Sequence, residues 1–124
     1  MARPHLRRAA VDGVSYWLSA SAAAGSARSP RAVLLPSYDE YTVAYRDRSA
    51  VLDPRHAAAA RNGIFTPPLL LDGRIVGTWT RRVERDAVAI DLQPFAKPTA
   101  ATARAIAVAA ARYGRFVGRP ARIV

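Results

Sequence analysis

Apolar and polar positions alternate in short blocks along this chain, and the blocks predict β-hairpins closed by one helix. Residues 6–18 read LRRAAVDGVSYWL. Asp12-Gly13 between two β-compatible arms is the signature of a two-residue type I′ turn, so a hairpin is expected, with Arg7 and Arg8 on a solvent face. A small-residue stretch without periodicity follows and reads as a linker over 20–31. Residues 32–35 then read as a short strand ended by Pro36. After Pro54 the alanines at 57–60 suggest a helical turn stopped by Asn62-Gly63.

Beyond Pro67-Pro68 the pattern is β. Residues 69–71, the turn Asp72-Gly73 and residues 74–80 form a second hairpin; 83–86 make a polar turn and 87–92 a third strand. Arg81 and Arg82 follow the Gly-Thr-Trp strand at a point where a turn is expected to project them. A three-stranded meander needs something to cover its apolar face. The cover is the last helix, opened by Pro98-Thr99 with Thr99 as N-cap. Its apolar stripe is Ile106, Ala109 or Ala110, Tyr113 and Phe116-Val117, with Arg104, Arg112 and Arg115 largely off it. Gly114 weakens the final turn, and Gly118 with Pro120 ends the helix. The fold class expected is α+β: a small antiparallel sheet or partly open barrel built from hairpins and packed by the C-terminal helix.

The densest polar stretch is LLPSYDEYTVAYRDRSAVLD, residues 34–53, which holds three tyrosines, four carboxylates and two arginines. Tyr38, Tyr41 and Tyr45 lie at i, i+3 and i+7, on one face of any helical turn. Two readings stand. Tyr38, Asp39, Tyr41, Arg46, Asp47 and Arg48 are a structural polar cluster whose members satisfy one another, or they form a wall of a nucleic-acid site.

Composition sharpens the picture at the ends of the chain. The net charge is +10 over 124 residues, from 18 Arg and one Lys against nine acids. Residues 36–96 balance, with eight Arg and eight Asp or Glu; residues 97–124 carry Lys97 and five Arg with no acid. Such terminal excess favours a polyanion through counterion release. Cysteine is absent, which excludes a disulfide framework and thiolate metal sites. No apolar run reaches the length of a membrane span. A cytoplasmic protein without membrane contact is expected.

Little here promises catalysis. His5 and His56 have no partner at metal-ligand spacing, and no Walker A, G-x-G-x-x-G or G-x-S-x-G segment occurs. No metal and no cofactor are expected. Asp39, Glu40, Asp47 and Asp53 could hold an acid/base pair, and pairing with neighbouring arginines is the simpler role. RYGRFVG at 112–118 superficially resembles the aromatic strand of an RNA-recognition module, but it continues a helical stripe, so Tyr113 and Phe116 are read as core. Trp17 and Trp79 are read as packing the sheets.

Four segments together, VDGVSYWL, LLPSYDEYTVAYRDRSAVLD, NGIFTPPLLLDGRIVGTW and RYGRFVG, resemble the C-terminal portion of the winged-helix DNA-binding proteins related to AlkZ-type DNA glycosylases. The resemblance covers roughly residues 6–118. It implies a bacterial DNA-binding protein with a β-rich distal region. Residues 1–19 are then a wing-like hairpin remnant, 20–31 a linker and 32–124 the C-terminal β-rich domain, with winged helices upstream. The family's Gln-x-Gln catalytic segment has no counterpart, since Gln93 is the sole glutamine. No catalytic residue carries over, and the chain as it stands is not expected to excise bases.

The expected function is therefore a DNA-binding module that grips the phosphate backbone of duplex DNA. Arg7, Arg8, Arg74, Arg81, Arg82 and Arg85 are the first candidates, and Arg112 and Arg115 the second. The alternative is a structural or interaction domain that completes a larger DNA-repair protein.

Overall fold

The computed structural model describes residues 5–21, 29–43, 49–59 and 66–124. Two sheets organise the chain. The first is the hairpin of β1 (Leu6–Val11) and β2 (Val14–Ser19). Asp12 at φ 50° and Gly13 at φ 78° make the left-handed pair that a type I′ turn requires. Arg7 pairs with Leu18 and Arg8 with Trp17, so the two arginines stand on opposite faces. Trp17 is 58% exposed, not packed in a sheet as its size suggests.

The second sheet has five strands in the order β3 (Ala32–Leu34), β4 (Pro68–Leu71), β5 (Arg74–Val83), β6 (Val88–Pro94) and β7 (Ala121–Ile123). It curls as a half-barrel around α2 (Ala100–Val117), the α+β architecture expected from the hairpin pattern. Asp72 at φ 49° and Gly73 at φ 84° turn β4 into β5. β5 runs on to Val83, so Arg81 and Arg82 lie within a strand and not in a turn. Alternation sends their side chains to opposite faces. The loop to β6 is 84–87, closed by the Glu84 N–H donating to the Ala87 carbonyl at 2.8 Å.

Two departures from the hairpin pattern matter. β7 pairs with β6 in parallel, Val88 opposite Ala121. Parallel neighbours need a crossover, and α2 supplies it. A bulge between Leu69 and Leu70 places Leu70 opposite Ile75 and Leu69 opposite Gly77, leaving Val76 as the extra residue. The sheet is therefore buried on both faces near the bulge. Leu69, Trp79 and Ile90 pack with Ile106, Ala109 and Ala110 of α2, whereas Leu70 and Ile75 pack with Leu52. Truncating a fully buried member such as Ile90 to alanine costs about 2–5 kcal/mol.

α2 starts and stops where its sequence dictates. Thr99 accepts from the Thr102 N–H at 3.2 Å, and Gly118 at φ 81° donates to the Gly114 carbonyl at 2.8 Å. The expected stripe holds through Ile106, Ala109, Ala110 and half-buried Tyr113 but fails at Phe116, which is 83% exposed. On a helical wheel Phe116 lies about 80° from the centre of the buried face, on its shoulder. Gly114 is buried in its place, under the chain returning to β7.

Between β3 and β4, α1 covers Glu40–Val43 of the described residues, and Pro54–His56 form a 3-10 turn capped by Asp53. Of the expected tyrosine face, Tyr38 precedes α1 with φ 60° and so stands outside it, Tyr41 lies in α1, and Tyr45 is outside the described residues.

Candidate nucleic-acid interface

β3 is an edge strand, and α2 packs beside it. Between them run three adjoining concavities. The first, about 280 Å³, is flanked by Arg31 and Arg112. The second, about 290 Å³, shares Arg112 and Ala32 with the first and reaches Tyr113 and Phe116. The third, about 610 Å³, shares those two rings and ends at Trp79 and Arg81. Among the described residues no carboxylate lines any of the three.

The sequence explains how each side chain arrives there. Trp79 is buried on the α2 face of β5 and satisfies its indole by donating to the Leu35 carbonyl at 2.9 Å. Two residues along the same face, Arg81 donates to the Tyr113 hydroxyl and lies 5.6 Å over its ring. Tyr113 meets Trp79 edge-on at 5.1 Å and Phe116 at 6.3 Å. Three rings thus lead from the core to solvent, with a guanidinium beside the middle one. Such a cation over a ring face is favourable by about 0.5–1 kcal/mol when exposed.

The outer face of α2 adds to this charge. Arg104, Arg112 and Arg115 fall within about 80° of one another on the wheel, opposite Ile106 and Tyr113. All three are exposed, and none has an acidic partner among the described residues.

The other arginines singled out in the sequence are dispersed. Arg8 donates to the Ser15 hydroxyl at 3.0 Å on the separate hairpin. Arg74 reaches the Ala50 carbonyl at 3.5 Å, at the opposite end of the half-barrel from Arg81 along β5. Arg82 pairs with Glu84 at 3.1 Å, and Arg122 takes the same carboxylate oxygen at 2.9 Å. Arg85 sits exposed in the β5–β6 loop, its carbonyl accepting from Arg119 at 3.4 Å. The structure therefore gathers Arg81 and Arg112 and leaves Arg7, Arg8, Arg74 and Arg85 elsewhere.

The sequence pattern does not single out Arg31, and it places Phe116 in the core, which its 83% exposure corrects. Arg31 is the residue immediately before an edge strand, a position from which a side chain flanks any element packed beside that edge. Phe116 sits just outside the 3.6-residue stripe, a hint that it is rim and not core.

The polar cluster of residues 38–48 is only partly described. Asp39 accepts from the Tyr41 N–H at 3.0 Å, and the Tyr41 hydroxyl donates to the Gly73 carbonyl at 2.7 Å, tying this segment to the β4–β5 turn. The first contact lies within the cluster and the second leaves it. Arg46, Asp47 and Arg48 lie outside the described residues. Asp53 is held well below the usual carboxylate range by the Arg55 side chain, which bonds it at 2.7 Å, and by the Arg55 N–H.

One further concavity, about 510 Å³, opens between the β4–β5 hairpin and the start of α2, beside the stacked rings of His56 and Phe95. Its lining carries Asp53 and Asp72 as well as Arg74 and Lys97, so its charges balance. Among the described residues no three His, Asp or Glu side chains converge to hold a metal ion.

The family described as DNA glycosylase AlkZ-like matches residues 1–116. The chain belongs to the AlkZ-like DNA glycosylase family. Its fold is also similar to that of the Streptomyces sahachiroi DNA glycosylase AlkZ, with a TM-score of 0.63 and 24% sequence identity. That similarity covers 99% of this chain and 34% of the other, so the AlkZ-like chain spans about a third of the solved protein's length. No curated protein sequence matches it. Among the described residues no helix of this AlkZ-like chain is long and apolar enough to cross a membrane.

Proposed function

We propose that this chain is a DNA-gripping module of the AlkZ-like family, holding the phosphates of duplex DNA with arginines and carrying no catalytic motif of its own. The observation that supports this best is the charge on α2. Every ionisable acid or base on its exposed side is an arginine, and none is neutralised by a described carboxylate. Guanidiniums on such a face supply the phosphate contacts that position a protein on a duplex. No Asn, Gln, Asp or Glu stands beside them on α2, which favours contact to the backbone over base reading.

Within this reading, residues 1–19 are a wing-like hairpin that brings Arg7 and Arg8 to the duplex, 20–31 a linker, and 32–124 the body that presents Arg81, Arg112 and Arg115. Arg74 and Arg85 extend the contact, and Arg82 contributes once drawn from Glu84. The module works in the cytoplasm beside winged-helix domains of the same protein.

The test is charge reversal. Arg112→Glu with Arg115→Glu is expected to weaken duplex binding at least a hundredfold, as loss of two charge-assisted contacts implies, on the order of 1.5–3 kcal/mol each. Both side chains are exposed, so the fold should be retained. Unchanged affinity would sink the assignment.

A second reading has its own observation. One face of the β1–β2 hairpin exposes Val11, Val14, Tyr16 and Leu18 at 38–55%, and the other exposes Trp17 at 58%. Two strands alone are marginal, and an uncovered apolar face of this kind serves protein contact. On that reading the chain is an interaction domain that completes a larger DNA-repair protein, and isolated it should self-associate. A monodisperse monomer by sedimentation counts against it.

A further inference from the structure

The β3–α2 groove carries more than positive charge. It pairs three guanidiniums with a row of aromatic rings, and duplex phosphates have no use for the rings. A paired base hides its face in the stack, whereas an unpaired base offers it. Single-strand sites are built from these two parts, a basic track for the backbone and rings on which bases lie.

We propose that the groove between β3 and α2 seats a short unpaired stretch of DNA, with its phosphates on Arg31, Arg112 and Arg81 and one base stacked on Phe116. The proposal rests on the reading of the chain as a DNA-gripping module. Four observations converge on it. Phe116 is 83% exposed on the shoulder of a helix whose neighbouring stripe is buried. It lines two of the three concavities and so stands at the junction of the groove. Arg112 lines the two concavities on one side of that junction and Arg81 the third on the other. Among the described residues the lining is free of carboxylates from end to end.

The rings beneath Phe116 make it a firm platform. Tyr113 contacts it at 6.3 Å and is itself braced by Trp79 at 5.1 Å. Arg81 keeps most of its guanidinium available, since one nitrogen bonds Tyr113 and the fork has five N–H donors. An acidic peptide would suit the charge but would leave the phenyl face unused.

Fluorescence anisotropy of the full chain with labelled oligothymidylate, and with a duplex of equal length, tests the idea. Oligothymidylate should bind, and Phe116→Ala should weaken it roughly tenfold while leaving the duplex affinity unchanged, the loss of one base-on-ring contact. Phe116→Trp should bind as well as the native chain and show indole emission quenched by oligothymidylate. Arg112→Glu should weaken both ligands. An equal-length oligouridylate separates a preference for DNA from a general single-strand seat, and tighter binding of the uridylate would overturn the assignment to DNA. If the duplex binds and oligothymidylate does not, or if Phe116→Ala changes nothing, the groove assignment fails and the duplex reading stands. Failure of both ligands to bind removes the duplex reading itself.

Discussion

Arg81 of β5 lies over the ring of Tyr113 of α2, 5.6 Å from its centroid, and donates to its hydroxyl. This contact fixes a strand cation against a helix and aims it along the β3–α2 groove. Arg81→Ala should lower duplex affinity several-fold. Tyr113→Phe keeps the ring and loses only the hydroxyl acceptor, so it should lower affinity less and shift stability by under about 1.5 kcal/mol. Anisotropy at fixed salt, with a denaturant titration of each variant, checks the order. A larger loss from Tyr113→Phe than from Arg81→Ala contradicts it.

Glu84 holds two arginines at once, Arg82 at 3.1 Å and Arg122 at 2.9 Å, both bonds at an exposed site. Glu84→Gln should release both guanidiniums, raise duplex affinity several-fold and steepen its salt dependence. Stability should change little, because exposed pairs contribute little. Reduced affinity in this variant would show that Glu84 positions Arg82 for contact and does not compete for it.

Gly114 was legible as a weak point of a helix, but its reason was not. A Cβ there would stand 2.6 Å from the Arg119 carbonyl oxygen and 2.9 Å from the Ala121 nitrogen. Alanine favours helix over glycine by about 1 kcal/mol, whereas forcing backbone apart costs about 1–3 kcal/mol. The clash should win, so Gly114→Ala should lower the denaturation midpoint with an unchanged slope. A stabilised variant would mean that the return to β7 can shift freely.

The same contrast separates what the sequence shows from what it hides. Both Asp-Gly turns, the Thr99 cap and the Gly118 stop were readable because each rests on the conformation of one or two residues. The half-barrel with its covering helix followed from those local signals. β7 was not readable, because three residues after a helix carry no period, and their pairing with β6 depends on where α2 delivers them. The bulge at Leu69 was hidden for a similar reason: Leu69, Leu70 and Leu71 are all apolar, so no alternation marks a change of face. At the site, Arg112 and Arg115 were visible as cations off the helical stripe. Arg31 and Phe116 were not, since their roles come from the packing of β3 against α2, a contact between distant segments.

Asp72 fastens the stretch before β3 to the β4–β5 turn. Ser29 donates its hydroxyl to one carboxylate oxygen at 2.7 Å, and the Arg31 N–H donates to the other at 2.8 Å. The Ser29 bond, then the Arg31 bond, hold its carboxyl below the ordinary value. Glu84 is lowered chiefly by Arg82, and Asp53 chiefly by Arg55. A lowered folded pKa means stability that is complete above the unfolded value, near 4, and is lost as pH falls through the folded value. Melting temperature should therefore decline from about pH 4 downward. Asp72→Asn should lower it at neutral pH and flatten the decline. Parallel pH profiles for the two chains would contradict the role given to Asp72.

Binding of the chain to a labelled duplex across a series of salt concentrations tests the central claim most directly. Four or more phosphate contacts predict a log–log slope steeper than about −3.5, at roughly 0.9 per contact, and a slope made shallower by about 2 in the Arg112→Glu, Arg115→Glu chain. A duplex affinity indifferent to salt, or a slope that those two substitutions leave unaltered, would contradict it.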